Sequence, residues 1–128
     1  MKGYKTIEIN NDSQLRSYAI KVAANQKVVQ IHRRAGSITF DANYKAMKAL
    51  SPAGYMLYMY LLMHSNNRIW ALSSEAVYNK TNLTKNTFPK AVDELIATGY
   101  LTEGDIDIGG NKFKKNAFHL WEDPENKI

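Results

Sequence analysis

The stretch Leu72-Ser73-Ser74-Glu75-Ala76-Val77-Tyr78-Asn79-Lys80-Thr81-Asn82-Leu83-Thr84-Lys85-Asn86-Thr87-Phe88-Pro89-Lys90-Ala91-Val92-Asp93-Glu94-Leu95-Ile96-Ala97-Thr98-Gly99-Tyr100-Leu101 decides how this chain folds. Ser73-Ser74-Glu75 carries the capping chemistry that opens a helix, which the pattern runs to about Thr81. Asn82 then falls at a tight turn, where asparagine tolerates a left-handed backbone. Thr84 caps a second helix running to about Thr98, and Gly99 closes it as a C-terminal cap. In that second helix Phe88, Ala91, Val92, Leu95 and Ile96 share one face at helical spacing. Lys85, Asn86, Thr87, Pro89, Lys90 and Asp93 fall on the other.

Working outward, Tyr100 to Glu103 and Phe113 to Trp121 read as two strands around Gly109-Gly110-Asn111-Lys112, a strong hairpin signal. Residues 123–128 read as a flexible tail. Upstream, Ser51-Pro52 marks a helix start, with a serine cap and a proline in the first turn. The helix from Pro52 to about His64 is apolar on almost every face, so it must be covered on more than one side. The covering unit is expected to be the N-terminal segment or a second subunit. Ser65-Asn66-Asn67-Arg68 ends this helix, and Ile69-Trp70-Ala71-Leu72 is a short extended piece.

Residues 1–50 predict a β-α-β-β order. Tyr4 to Ile9 alternates as a strand does, and Asn11-Asp12-Ser13 offers caps ahead of Leu15, Tyr18, Ala19, Val22 and Ala23 at helical spacing. Lys27 to His32 and Ser37 to Phe40 read as two short strands joined by a hairpin turn at Arg33-Arg34-Ala35-Gly36. Asn43 to Ala49 reads as a short helix carrying Tyr44 and Met47. The resulting division is a basic extension over 1–50, a main unit over 51–122 and a tail over 123–128.

Composition narrows the function classes. The chain of 128 residues has no cysteine, which excludes disulfides, thiol nucleophiles and cysteine-based zinc sites. The segment Met1 to Thr6 lacks the apolar core of a secretion signal. The longest apolar run, Tyr55 to Met63, is nine residues, too short to span a bilayer. A soluble, cytoplasmic protein with no membrane partner is therefore expected. The formal charge of +5 favours an anionic partner. It is unevenly spread: residues 1–50 hold nine Lys/Arg against three Asp/Glu, whereas residues 51–128 carry a net charge of −1.

The stretch around residues 50–101, with its Leu72-Ser73 entry, its Thr84-capped second helix and its Leu95-Ile96-Ala97-Thr98-Gly99-Tyr100-Leu101 exit, resembles the winged helix-turn-helix of prokaryotic DNA-binding proteins. Those proteins include phage and plasmid regulators and replication or transfer accessory proteins. The resemblance covers roughly half the chain. It implies an α+β fold: a winged helix-turn-helix with the N-terminal β-α-β-β extension packed on the first long helix. It also implies sequence-specific binding of double-stranded DNA by a mobile-element protein, in transcription regulation, replication or transfer-origin marking. Two positions depart from the family's pattern. Pro89 lacks a donor near the second turn of a helix capped by Thr84, so the helix is expected to begin late or bend. Tyr78 stands where the family has a small residue, which implies a differently packed helix pair.

Three groups are candidate DNA contacts. At the second helix, Asn86 suits adenine, Lys85 and Lys90 suit guanine or phosphate, and Thr84 and Thr87 suit phosphate. Lys112, Lys114 and Lys115 cluster on the hairpin, opposed by Glu103, Asp105 and Asp107. Arg33 and Arg34, beside His32 and with Lys27 nearby, form the third group, within the basic half. No pattern supports catalysis: His32, His64 and His119 lack metal-ligand spacing, and Gly109-Gly110 lacks the ending of a phosphate loop. No enzyme activity, metal or cofactor is expected. A homodimer reading paired half-sites and a protein partner in a nucleoprotein complex are both compatible with the pattern. The rival is a protein-interaction module of the same fold that does not bind DNA, which the charge of residues 51–128 favours.

Overall fold

The computed structural model describes residues 8–9, 27–34, 36–108, 111–114 and 116–127. In chain order the elements are β1 (Glu8–Ile9), β2 (Lys27–His32), α1 (Phe40–Ala49), α2 (Pro52–Leu62), β3 (Ile69–Leu72) and α3 (Ser74–Lys80). They continue as α4 (Thr87–Ala97), β4 (Leu101–Glu103), β5 (Ile106–Ile108), β6 (Asn111–Phe113) and β7 (Ala117–Trp121). The class is α+β, and the succession from α2 to β7 is compatible with the expected winged helix. The helix expected over Leu15 to Ala23 lies outside the described residues, as do the Gly109-Gly110 turn and Lys115.

The strands form a mixed sheet in the order β1-β3-β2-β7-β4, with β5 and β6 as a separate two-stranded hairpin. β2 runs antiparallel to β3, with Val29 opposite Trp70, and parallel to β7, with Val28 opposite Ala117 and His32 opposite Trp121. A strand from the N-terminal segment therefore separates β3 from the strand that follows the hairpin. The near-continuous apolar run Lys27-Val-Val-Gln-Ile-His suits that central place, because such a strand is buried on both faces. Val28, Val29 and Ile31 are all fully buried. Val29 and Ile31 join Leu57, Tyr58, Leu61 and Leu62 of α2 and Leu95 of α4 in one core. The apolar helix α2 is thus covered by the sheet, by α4, and by α1 through contacts of Asn43 with Tyr55 and Met59.

Most helix ends follow their local chemistry. Ser51 caps α2 by accepting from the Gly54 amide, with Pro52 in the first turn, and Ser73 caps α3 by accepting from the Ala76 amide. Gly99 takes a left-handed φ of 86° just past α4, as a C-terminal cap requires. Glu94 of α4 reaches back to the start of α2, its carboxylate accepting from the Ser51 amide at 2.7 Å and from the Ser51 hydroxyl. That carboxylate occupies the space beside Gly54 where a Cβ would lie.

Three expectations are corrected. Ser37 to Phe40 is not a strand: residues 33–39 connect β2 to α1, with Thr39 as the residue preceding the helix. The alternation of Ser37-Ile38-Thr39-Phe40 imitates a strand, yet the Thr39 amide donates to Glu122 instead of to a neighbouring strand. The described N-terminal elements are therefore β1, β2 and α1, not the second half of a β-α-β-β unit. Asn82 does not take the left-handed conformation, which falls on Asn67 and Asn116. Thr81 holds that turn, donating to the Val77 carbonyl and accepting from the Leu83 amide. Residues 123–127, expected as a loose tail, carry contacts: Asp123 pairs with Lys45 at 3.2 Å, and Lys127 lies 5.0 Å over the Trp121 ring.

The shared space at Gly54 predicts non-additivity. Gly54→Ala in the parent displaces the Glu94 carboxylate and lowers stability by about 1 kcal/mol, the worth of a helix cap. In a Glu94→Ala background the same substitution raises stability by up to about 1 kcal/mol, because alanine outranks glycine inside a helix. Urea unfolding of the four-member cycle reads the change of sign; equal effects of Gly54→Ala in both backgrounds would refute the coupling.

Candidate nucleic-acid interface

The entry to α4 is built from a tandem of threonines. The Thr84 amide donates to the Thr87 hydroxyl at 2.8 Å, while the Thr84 hydroxyl accepts from the Asn86 and Thr87 amides. This is the reciprocal logic of a capping box, with threonine in the place of glutamate. The Phe88 amide already donates to the Thr84 carbonyl at 2.8 Å, but Pro89 has no amide to give the Lys85 carbonyl, so regular helix runs only from Thr87. The late start expected from Pro89 is what the structure shows. Lys85, Asn86, Pro89, Lys90 and Asp93 are exposed and Thr84 with them, while Thr87 is half-buried. The opposite face is fixed by Ala91, Val92 and Leu95 in the core, but Ile96, expected there, is exposed. Tyr78 meets Phe88 edge to face, rings 5.9 Å apart, and this contact spaces α3 from the start of α4.

The hairpin pairs Ile106 with Phe113, Asp107 with Lys112 and Ile108 with Asn111. Lys112 and Lys114 are exposed, as are Glu103, Asp105 and Asp107. Lys112 thus stands directly across from Asp107, which offsets its charge; Lys114 lies beyond the last pair of the ladder.

Arg33 and Arg34 are neighbours with different employment. The Arg33 guanidinium donates from Nη1 to the Leu62 and His64 carbonyls at 3.1 and 3.2 Å and from Nη2 to the Gly36 carbonyl. It therefore supplies a cation to the C-terminal end of α2, which has no basic residue in its last turn. Its Nε is buried without a partner. The Arg34 side chain is exposed, while its amide donates to Glu122 Oε1 at 2.7 Å. Glu122 is only 6% exposed, and its other carboxylate oxygen accepts from the Thr39 amide at 2.8 Å. Sequence reasoning grouped the two arginines together; the structure turns one inward and one outward.

Sequence reasoning also missed a histidine pair. His32 Nε2 lies 2.7 Å from His119 Nδ1, and His119 Nε2 lies 2.9 Å from the Asp105 carbonyl oxygen. A carbonyl only accepts, so with both rings neutral His119 carries its proton on Nε2 and His32 donates to it. The His32 ring stacks on Trp121 at 4.2 Å. Burial, and then the charge of His119, push the His32 pKa down to about 4. The residues are 87 positions apart, and only the parallel register of β2 and β7 brings them together. Among the described residues no group of three or more His, Asp or Glu could hold a metal ion, and no helix is long and apolar enough to cross a membrane.

Comparison of the chain with known protein families, curated proteins and solved structures finds no match.

Two outcomes follow from these geometries. Arg33→Ala should lower stability by about 1.5–3 kcal/mol, the range for hydrogen bonds from a charged group, whereas Arg34→Ala should change it by no more than about 0.5 kcal/mol. Chemical denaturation of the two variants measures both. The second outcome concerns pH. Unfolded histidine takes up a proton near pH 6.5, but folded His32 resists it until about pH 4. The unfolded state binds more protons in that window, so stability should fall as pH drops from about 6.5 toward 4. Comparing unfolding midpoints at pH 7.5 and 5.0 tests this, and His32→Gln should flatten the difference.

Proposed function

We propose that α2, β3, α3, α4 and the β5–β6 hairpin act as a winged helix-turn-helix that binds double-stranded DNA, with the start of α4 entering the major groove. The observation that carries this reading is the entry to α4. There Lys85, Asn86 and Lys90 stand exposed beside the Thr84–Thr87 cap, while Ala91, Val92 and Leu95 anchor the opposite face in the core. A major groove admits one helix, and residues at its N-terminal end reach base edges. The dipole at a helix start also favours an anion such as a phosphate, although the Thr84, Asn86 and Thr87 amides are already engaged within the cap. Lys114 on the hairpin and Arg34 beyond β2 add cations for the DNA backbone, whereas Arg33 serves the end of α2. A regulator, replication or transfer-origin protein of a phage or plasmid, acting as a dimer in the cytoplasm, is the setting in which this module would work.

Duplex binding measured across a salt series tests the proposal. Lys85→Ala/Lys90→Ala should weaken binding tenfold or more and reduce the slope of log affinity against log salt by roughly 0.9 for each phosphate no longer neutralised. Arg34→Ala and Lys114→Ala should lower the slope without changing sequence preference, since phosphate contacts carry no base information. Binding that ignores the Lys85/Lys90 pair would overturn the α4 reading. Failure to bind any duplex at low salt would favour a protein-docking role for residues 51–128.

A further inference from the structure

At the C-terminal ends of the parallel strands β2 and β7 the chain leaves a groove of about 790 Å³, lined among others by Arg34, Tyr44, Lys45, Lys48, Trp121 and Lys127. One wall is α1, whose outer face carries an apolar stripe at helical spacing. Phe40 is 77%, Tyr44 59% and Met47 54% exposed, far more than core residues of those types. The Phe40 and Tyr44 rings lie nearly parallel, 6.2 Å apart and inclined by 19°. Tyr44 faces the groove that Trp121 closes from the other side. Trp121 is held in place by the stacked His32 ring and by donation from its indole N–H to Thr102 Oγ1 at 2.8 Å. The aromatic surfaces are therefore presented by rigid elements.

The charges around them are biased. Of the three carboxylates lining the groove, Glu122 is satisfied by the Arg34 and Thr39 amides, and Asp123 is paired with Lys45. With Lys45 and Asp123 paired, Arg34, Lys48 and Lys127 stand against Asp41 and the buried Glu122, whose amide partners do not cancel its charge, so the groove keeps a net charge of +1. Lys127 rests over the Trp121 ring at 5.0 Å, a contact that an incoming planar group would replace. Exposed aromatic faces in a groove with a small cationic excess suit a ligand that is itself a row of flat rings on an anionic backbone. An acidic peptide would satisfy the cations but would leave the stacked faces without a matching partner.

We propose that this groove and the outer face of α1 bind single-stranded nucleic acid, its bases stacking on Tyr44, Phe40 and Trp121 and its phosphates meeting Arg34 and Lys48. The surface goes beyond duplex reading by α4 and uses none of the α4 residues. It would hold one strand where a duplex is opened or ends.

The test is fluorescence anisotropy of a labelled twelve-nucleotide oligo(dT) with the full chain at low salt. Saturable binding is expected. Tyr44→Ala should weaken it roughly tenfold, the loss expected for one stacked base. Arg34→Ala/Lys48→Ala should reduce the salt slope by about 0.7 for each phosphate released from a single strand. Lys85→Ala/Lys90→Ala should leave oligo(dT) affinity unchanged, which separates this proposal from the duplex reading. As a second measurement, Trp121 is the sole indole in a Trp70→Phe chain, and its fluorescence should be quenched by oligo(dT). Absence of oligo(dT) binding would overturn the proposal, as would equal weakening in the Lys85/Lys90 variant. Displacement of the strand by an acidic amphipathic peptide of higher affinity would assign the surface to a protein partner and overturn it equally.

Discussion

The sheet depends on one strand satisfying two neighbours at once. β2 exchanges backbone hydrogen bonds with β3 on one edge and with β7 on the other, over nearly its whole length. An unpaired buried backbone group costs about as much as a lost hydrogen bond, so without β2 the facing edges of β3 and β7 would both be left open. The same strand sends Val29 and Ile31 into the core against α2. α2 in turn packs on α4, and β7 carries β4 on its far edge. The positions of the α4 entry and of the hairpin thus trace back to a strand far from both in sequence.

Beyond the end of β2 the organising role passes to Glu122. Its carboxylate binds the Arg34 and Thr39 amides, its own amide donates to the His32 carbonyl at 2.9 Å, and its carbonyl accepts from the Tyr58 hydroxyl at 2.8 Å. Four residues, three from the end of β2 and its connection to α1 and one from α2, meet at this carboxylate residue. Charge-assisted bonds to backbone amides are about twice as strong as neutral ones. They let a carboxylate be buried without a cation beside it. Burial, followed by the charge of Glu122, raises the pKa of the Tyr58 phenol, which keeps it a donor across the physiological range. With the 34–39 connection held in this way, Arg33 reaches back to the end of α2 while Arg34 stays free for an anion.

Features set within a few residues of chain were legible in the sequence. Ser51, Ser73 and Gly99 act as the caps their residue types imply, and Pro89 marks the late start of α4. Features set by distant partners were not. The amides of Arg34 and Thr39 have a carboxylate more than eighty residues away, and nothing near them distinguishes that partner from a hairpin strand. The i, i+4, i+7 spacing of Phe40, Tyr44 and Met47 announces a helix face, but periodicity alone does not say whether the face is covered. Arg33 and Arg34 are adjacent and alike in type, and only the position of the α2 carbonyls separates a clamp from an exposed cation. The candidate site was therefore half legible: the α4 entry emerged from local pattern, whereas the aromatic groove depends on how β2 and β7 align.

The parallel pairing of β2 with β7 also governs when the protein can exist. β2 has no complete set of partners until Ala117 to Trp121 have been made, almost ninety residues later. Pairings of such long separation close slowly, because loop entropy is lost before contacts compensate for it. During synthesis α2, α3 and α4 can take shape as each leaves the ribosome, but the apolar run of β2 must wait with one edge open. Such an edge is a site for mispairing between nascent chains. The strand that closes it is β7, so that edge stays open until Ala117 to Trp121 have left the ribosome.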